Sequence, residues 1–202
     1  LAANKDPVAL RIANTQKNPR LQNVIRVAGE RMQAMNVPAG HHLGFAAHHS
    51  FATDVAQIAE VSVKDGKISV HRVVCVVDCG VAVNPDIVRA QMEGGIIFGL
   101  TAALYGKVDL RQGAIVESNF HDYPMLRINA APKVAVHFIQ SDNPPTGLGE
   151  PPYPVVPPAI ANGTNRLPVL VGMATAIWRF QQSKAIPWRL CLRLLPGFLV
   201  SA

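Results

Sequence analysis

An Asp65-Gly66 pair stands between two β-rich runs, and it forces the centre of this 202-residue chain to double back on itself. Val55, Gln57, Ala59, Val61 and Val63 alternate before it; Ile68, Val70, Val73, Cys75 and Val77 follow it. Side chains two apart on a strand share a face, so such runs build a sheet with at least one buried side. A two-residue type I′ turn needs positive φ at both central positions, which Asp-Gly tolerates. Residues 45–79 therefore read as antiparallel strands, and Pro38–Gly44 before them as a connection.

Helices are expected on either side. Asp6–Ala13 reads as a short one. Asn18-Pro19 offers an N-cap and an N1 proline, and Leu21, Val24, Ile25, Ala28, Met32 and Met35 follow at helical spacing up to Asn36. Asn84-Pro85 repeats the signal for a helix to about Tyr105, with Gly94, Gly95 and Gly99 inside it. Interior glycines lower helix propensity, so something is expected to pack close to them. Lys107–Leu110 and Ala114–Glu117 read as a small hairpin, and Lys133–Gln140 as one more strand. The fold class is α+β: helices packed on mostly antiparallel strands.

Composition excludes several functions. The net charge of +6 is local, because Arg166, Arg179, Lys184, Arg189 and Arg193 stand in residues 151–202 without a single acid. No basic patch is interleaved with stacking aromatics, so nucleic acid is not an expected partner. A membrane-surface anchor in that basic tail is opposed by Pro168, Pro187 and Pro196. No apolar run reaches about 18 residues, so no spanning helix is expected. Cys75 and Cys79 lie about 13 Å apart along a strand, too far to share a metal or a bridge, and read as core. His41-His42 and His48-His49 lack zinc spacing, so no protein-ligated metal is expected. His48, His49, Ser50 and Phe51 are placed at a pocket mouth. No serine sits in a Gly-x-Ser-x-Gly elbow.

Gly147-Leu148-Gly149-Glu150-Pro151-Pro152 sets one carboxylate in a stretch where glycine and proline shape the backbone. By itself the segment also fits a proline-rich surface turn with a solvated glutamate. Gln91 stands one helical turn before Gly94-Gly95 and is placed to present its amide beside them; a close helix-to-sheet contact explains the glycines equally well.

Five motifs occur in an order that resembles the molybdenum hydroxylases, the xanthine oxidase and aldehyde oxidoreductase family. They are Ala56-Gln57-Ile58-Ala59-Glu60-Val61, Val77-Asp78-Cys79-Gly80 with Asn84-Pro85, Gln91-Met92-Glu93-Gly94-Gly95, Ser118-Asn119-Phe120-His121-Asp122-Tyr123-Pro124, and Gly147-Leu148-Gly149-Glu150-Pro151. The fourth is similar to the isoquinoline 1-oxidoreductase beta-subunit group. The resemblance implies part of a molybdopterin-binding domain, with molybdenum held by a pterin, as the cytosine dinucleotide. It implies that Glu150 is a general base toward a water-derived hydroxyl that attacks an N-heterocycle or an aldehyde. It further implies that Gln91, Gly94, Gly95 and Gly149 lie against the cofactor. Electrons would leave through [2Fe–2S] clusters on a ferredoxin-like small subunit, with cytochrome c as a further acceptor, in the cytoplasm or periplasm. Residues 1–162 are then the C-terminal part of that domain, and 163–202 a divergent tail, frameshifted or disordered. An inactive remnant of such a subunit is the alternative reading.

Overall fold

The computed structural model describes residues 6–165. Asp6 accepts from the amides of Val8 and Ala9 and starts α1, Pro7–Asn14; Asn18 accepts from Leu21 and starts α2, Pro19–Gln33. Each helix has proline at N1, where no intrahelical N–H is needed. Three antiparallel strands follow, β1 (His41–Ser50), β2 (Thr53–Lys64) and β3 (Lys67–Asp78). The β2–β3 turn has φ of 51° at Asp65 and 74° at Gly66, the type I′ geometry expected of that pair.

Asn84 caps α3, Pro85–Tyr105. The small hairpin of β4 (Leu110–Arg111) and β5 (Ala114–Ile115) comes next, then β6 (Lys133–Phe138) and α4 (Val156–Thr164). β6 lies parallel to β3, giving a sheet in the order β1-β2-β3-β6.

The sheet is covered on both sides. On one face Val24, Ile25 and Ala28 of α2 meet Phe45, Ile58, Val74 and Val76. On the other, Val88, Met92, Ile96 and Leu100 of α3 and Val156, Ala159 and Ile160 of α4 meet Val55, Val61, Val73, Cys75 and Val77. Each large apolar side chain fully removed from water contributes about 1.5–3 kcal/mol. α3 has the length and apolar composition of a membrane span, contrary to the expectation from runs alone. Its apolar stripe is nevertheless part of this core.

One reading of the sequence is corrected here, and one turn is found that it did not foresee. Residues 41–44 belong to β1 rather than to a connection, because His41 to Gly44 pair with Ser62 to Ala59. His, Gly and Ala carry little strand preference, and the ladder offered by buried β2 overrides it. The β1–β2 turn is Phe51-Ala52, with φ of 51° and 59° and no glycine to announce it.

Cys75 and Cys79 are buried free thiols, as the strand spacing implied. Burial pushes the Cys75 thiol up to about 12. At pH 8 its thiolate is then only about one part in ten thousand. Peptide mapping after maleimide treatment should find Cys75 unmodified in the folded protein and modified only after denaturation.

Candidate functional site

The stretch that carries Glu150 is tied to the sheet from beginning to end. Val81 N–H donates to the Asn143 carbonyl (2.9 Å), Thr146 N–H to that of Cys79 (3.0 Å), and Gly147 N–H to that of Phe51 (3.1 Å). Thr53 Oγ1 donates to the Gly147 carbonyl at 2.6 Å, and Gln57 Nε2 to the Pro152 carbonyl at 2.8 Å. Tyr153 N–H closes a turn on the Glu150 carbonyl at 2.9 Å. A Gly/Pro-rich segment of this kind loses little side-chain entropy on ordering, and these bonds fix its backbone.

Helix α3 supplies the floor. A methyl group added at Gly95 would stand 2.4 Å from Cγ of Pro152, so the bare helix surface is what lets the loop settle. Gly99 lies the same way under the Tyr153 carbonyl and Val156. Both interior glycines are thereby explained by close packing. Gly94 differs: nothing approaches its Cβ direction within 4 Å, and the same holds for Gly149. These two glycines border a cavity of about 500 Å³ together with Gly95, Phe98, Glu150 and Tyr153. The rings of Phe98 and Tyr153 sit 5.3 Å apart and form its aromatic wall. Glu150 is exposed at the rim.

Four of the five sequence-predicted residues, Glu150, Gly94, Gly95 and Gly149, thus meet at one cavity. Gln91 is exposed one turn earlier on the same helix face and is not among the lining residues. The expected pocket mouth at His48 to Phe51 is not part of this cavity. His49 instead reaches Asp54 at 2.8 Å, and His41 reaches Glu60 at 2.7 Å while stacking on His71. Phe51 lies under Gly147, where its Cβ occupies the space of any added methyl.

Thr53 and Gln57, which the sequence motifs did not single out as site residues, are the side chains that hold this loop. Both are wholly buried. Gln57 stands in the first of the five motifs, and the available signal was a glutamine on the inward parity of a strand, since a buried amide costs stability unless it is bonded.

Behind the loop lies a charged cluster. Asp54 and Asp78 are cross-strand partners, both buried, and Arg20 from α2 lies against them. Its guanidinium donates to Asp78 at 2.7 and 3.1 Å and to the Ala52 carbonyl at 3.2 Å, with Asp54 at 3.9 Å. Burial alone would raise the Asp78 carboxyl. Arg20 and the Gly80 N–H outweigh that and hold it below the usual carboxylate range. A second cavity, about 430 Å³, adjoins this ion pair between Pro19–Asn23 and Ile139–Asn143.

Among the described residues no three His, Cys, Asp or Glu side chains converge as a metal-ligand set. A glycine-lined cavity with one carboxylate fits a group that brings its own metal ligands and needs backbone to approach closely.

Comparison with known proteins identifies the family. The molybdopterin cofactor-binding domain family matches residues 4–132, which include Gln91, Gly94 and Gly95. The chain is 38% identical over 170 residues to the beta chain of isoquinoline 1-oxidoreductase from Brevundimonas diminuta, covering 81% of this chain and 22% of that protein. It is 29% identical to a nicotinate dehydrogenase subunit of Pseudomonas putida, covering 80% of this chain and 15% of that one. Among solved structures, quinoline 2-oxidoreductase from Pseudomonas putida 86 superposes with a TM-score of 0.50 at 25% identity, over 56% of this chain and 15% of that one. Reconstituted CO dehydrogenase from Oligotropha carboxidovorans shares the fold, with a TM-score of 0.51 at 21% identity, over 56% and 15% of the two chains. The chain therefore spans about a fifth or less of the length of these relatives. On its motifs, its fold and the family match, it belongs to the molybdopterin cofactor-binding family and corresponds to part of a molybdenum hydroxylase large subunit.

Proposed function

We propose that this chain forms the part of a molybdenum hydroxylase that carries the general base, Glu150, beside the cofactor. The observation that supports it is the placing of a single carboxylate at the rim of a glycine-lined cavity, on a loop pinned on both flanks. When bound, the molybdenum–pterin group supplies the two-electron oxidation. A substrate C–H becomes C–OH, with oxygen from water, two protons released and two electrons leaving. Glu150 takes the proton from the attacking water-derived hydroxyl, and a base mounted this way needs no reorganisation at the moment of transfer. Gly94 and Gly149 give the cofactor access to the backbone, and Phe98 and Tyr153 provide an apolar wall. We assign Gln91 an outer contact with the pterin, beyond the cavity itself.

The substrate class follows the names of the relatives: an electron-poor N-heterocycle, with an aldehyde as the second candidate. The cofactor is proposed as the cytosine dinucleotide, with electrons passing to [2Fe–2S] clusters on a ferredoxin-like subunit and onward to a cytochrome c. The 202 residues alone are expected not to turn over, since they span about a fifth or less of the length of these relatives and so only part of a cofactor cradle. Running the assembled enzyme in heavy-oxygen water should place the heavy atom in the product; label arriving from dioxygen would contradict the reading.

Gly94→Leu separates folding from cofactor binding. Open space at Gly94 admits the side chain, and replacing a helix-interior glycine raises helix propensity by about 1 kcal/mol. The variant of the complete subunit should therefore be no less stable, yet purify with less than about a tenth of the natural pterin content. Full pterin content in that variant would mean that the cofactor lies elsewhere.

A further inference from the structure

We propose that Thr53 and Gln57 of β2 are positioning residues: they clamp the carbonyls on either side of Glu150 and so set where its carboxylate stands. The inference rests on the reading of Glu150 as the base. Both side chains are 0% exposed. They stand four apart on one strand, hence on the same face, about 13 Å from each other along it. That face is otherwise given to Val55, Ala59 and Val61. Apolar residues at 53 and 57 would satisfy the core without any polar atom to bury.

What the two polar groups do instead is reach the loop. Thr53 Oγ1 donates to the carbonyl three residues before Glu150, and Gln57 Nε2 to the carbonyl two residues after it. Prolines 151 and 152 have no N–H, and the Tyr153 N–H is spent closing the turn on the Glu150 carbonyl, so neither proline can tie the loop to the sheet with its own backbone donor. The acceptor oxygen of the Gln57 amide finds no hydrogen-bond partner among the described residues. An amide with one end unsatisfied in the core is expensive, and its retained bond is the one to Pro152. The sheet is rigid over this stretch, because β2 pairs with a neighbour on each side. Glu150 is thereby referenced to the sheet, and not to the exposed loop.

The test is made in the complete subunit assembled with its partners and cofactor. Gln57→Met keeps length and volume but has no donor; Thr53→Val keeps shape but has no hydroxyl. Each should lower kcat by about 10- to 100-fold, the scale of a displacement near 1 Å at a reacting group. KM should change by less than about threefold and the pterin and molybdenum content not at all. Thr53→Ser should recover most of what Thr53→Val loses, which a purely volumetric role would not give. A readout independent of turnover is amide exchange in the cofactor-free subunit: the bonded Tyr153 N–H should exchange about tenfold faster in Gln57→Met and the bonded Gly147 N–H in Thr53→Val, with Val74 and Val76 unchanged. Natural kcat and unchanged loop exchange in both variants, with Glu150→Gln inactive, would overturn the clamp alone. An active Glu150→Gln would remove the base on which it rests.

Discussion

Glu150→Gln in the complete subunit should leave molybdenum and pterin content as they are and lower turnover by about 10³-fold, within the range general bases contribute. The substitution is isosteric, and every bond that shapes the loop survives it. Glutamine keeps the backbone carbonyl that accepts from Tyr153, and the anchors at Gly147 and Pro152 belong to other residues. The walls of the cavity, Gly94, Gly149 and Phe98, are untouched. What disappears is the one lining side chain able to accept and hold a proton. A structural glutamate at the rim of a turn would show the opposite pattern: a small change in turnover, because Glu150 is solvated and makes no side-chain hydrogen bond among the described residues. Near-natural turnover would therefore return the loop to the plain surface turn that its sequence also allows.

Arg20→Met should have the largest effect on stability. Asp54 and Asp78 face each other across β2 and β3, with side chains 1% and 4% exposed, and Arg20 is the cation set against both. Removing the cation leaves buried carboxylate charge in a low-dielectric setting and costs up to about 3 kcal/mol, the low end for a buried pair because the Arg20 side chain is itself 30% exposed. The sign of the pH dependence follows from Asp78, whose carboxyl is held low in the folded protein. Its contribution is present above the unfolded value of about 4 and is lost as pH falls through the folded one. In the variant the cation that held it low is gone, so protonation relieves rather than harms. The difference between the two proteins should accordingly be widest near pH 7 and shrink below about pH 4. Native-state amide exchange of the β2–β3 ladder in the complete subunit measures it. A constant difference across that range would show that packing of the Arg20 stem, rather than charge, is what matters.

The consequences of the two predictions meet at the loop, since Arg20 also donates to Ala52, next to the Phe51 carbonyl that holds Gly147. Loss of Arg20 should thus loosen the mount of Glu150 as well as the sheet.

How far the sequence alone reached depends on whether a rule is local. Asp65-Gly66 and the two Asn-Pro caps act within four residues, and the hairpin, α2 and α3 appear where they were expected. The first four residues of β1 escaped because His-His-Leu-Gly has weak strand preference, and only pairing with β2 makes them strand. The Phe51-Ala52 turn escaped because neither residue advertises positive φ. α4 opens with Val156-Pro157-Pro158, where prolines signal a break unless they fall in a first helical turn, as they do here. The parallel pairing of β6 with β3 depends on a crossover through α3, for which strand alternation carries no sign.

The site divides in the same way. Glu150, Gly94, Gly95 and Gly149 were legible through motif order, and the structure gathers them around one cavity. That Gly95 touches Pro152 while Gly94 stays open is a matter of helix phase against a distant loop, invisible in the sequence. The roles of Thr53 and Gln57 were hidden for the same reason: their partners lie 94 and 95 residues away. Residues 166–202, with the acid-free tail, both tryptophans, Cys191 and the proposed anchor, lie outside the described residues.

The most direct test of the central claim is to locate the metal. A crystal of the complete subunit, measured at the molybdenum absorption edge, should give its anomalous peak in the cavity bordered by Gly94, Gly149 and Glu150. A fully occupied peak elsewhere, with that cavity filled only by solvent, would contradict the account.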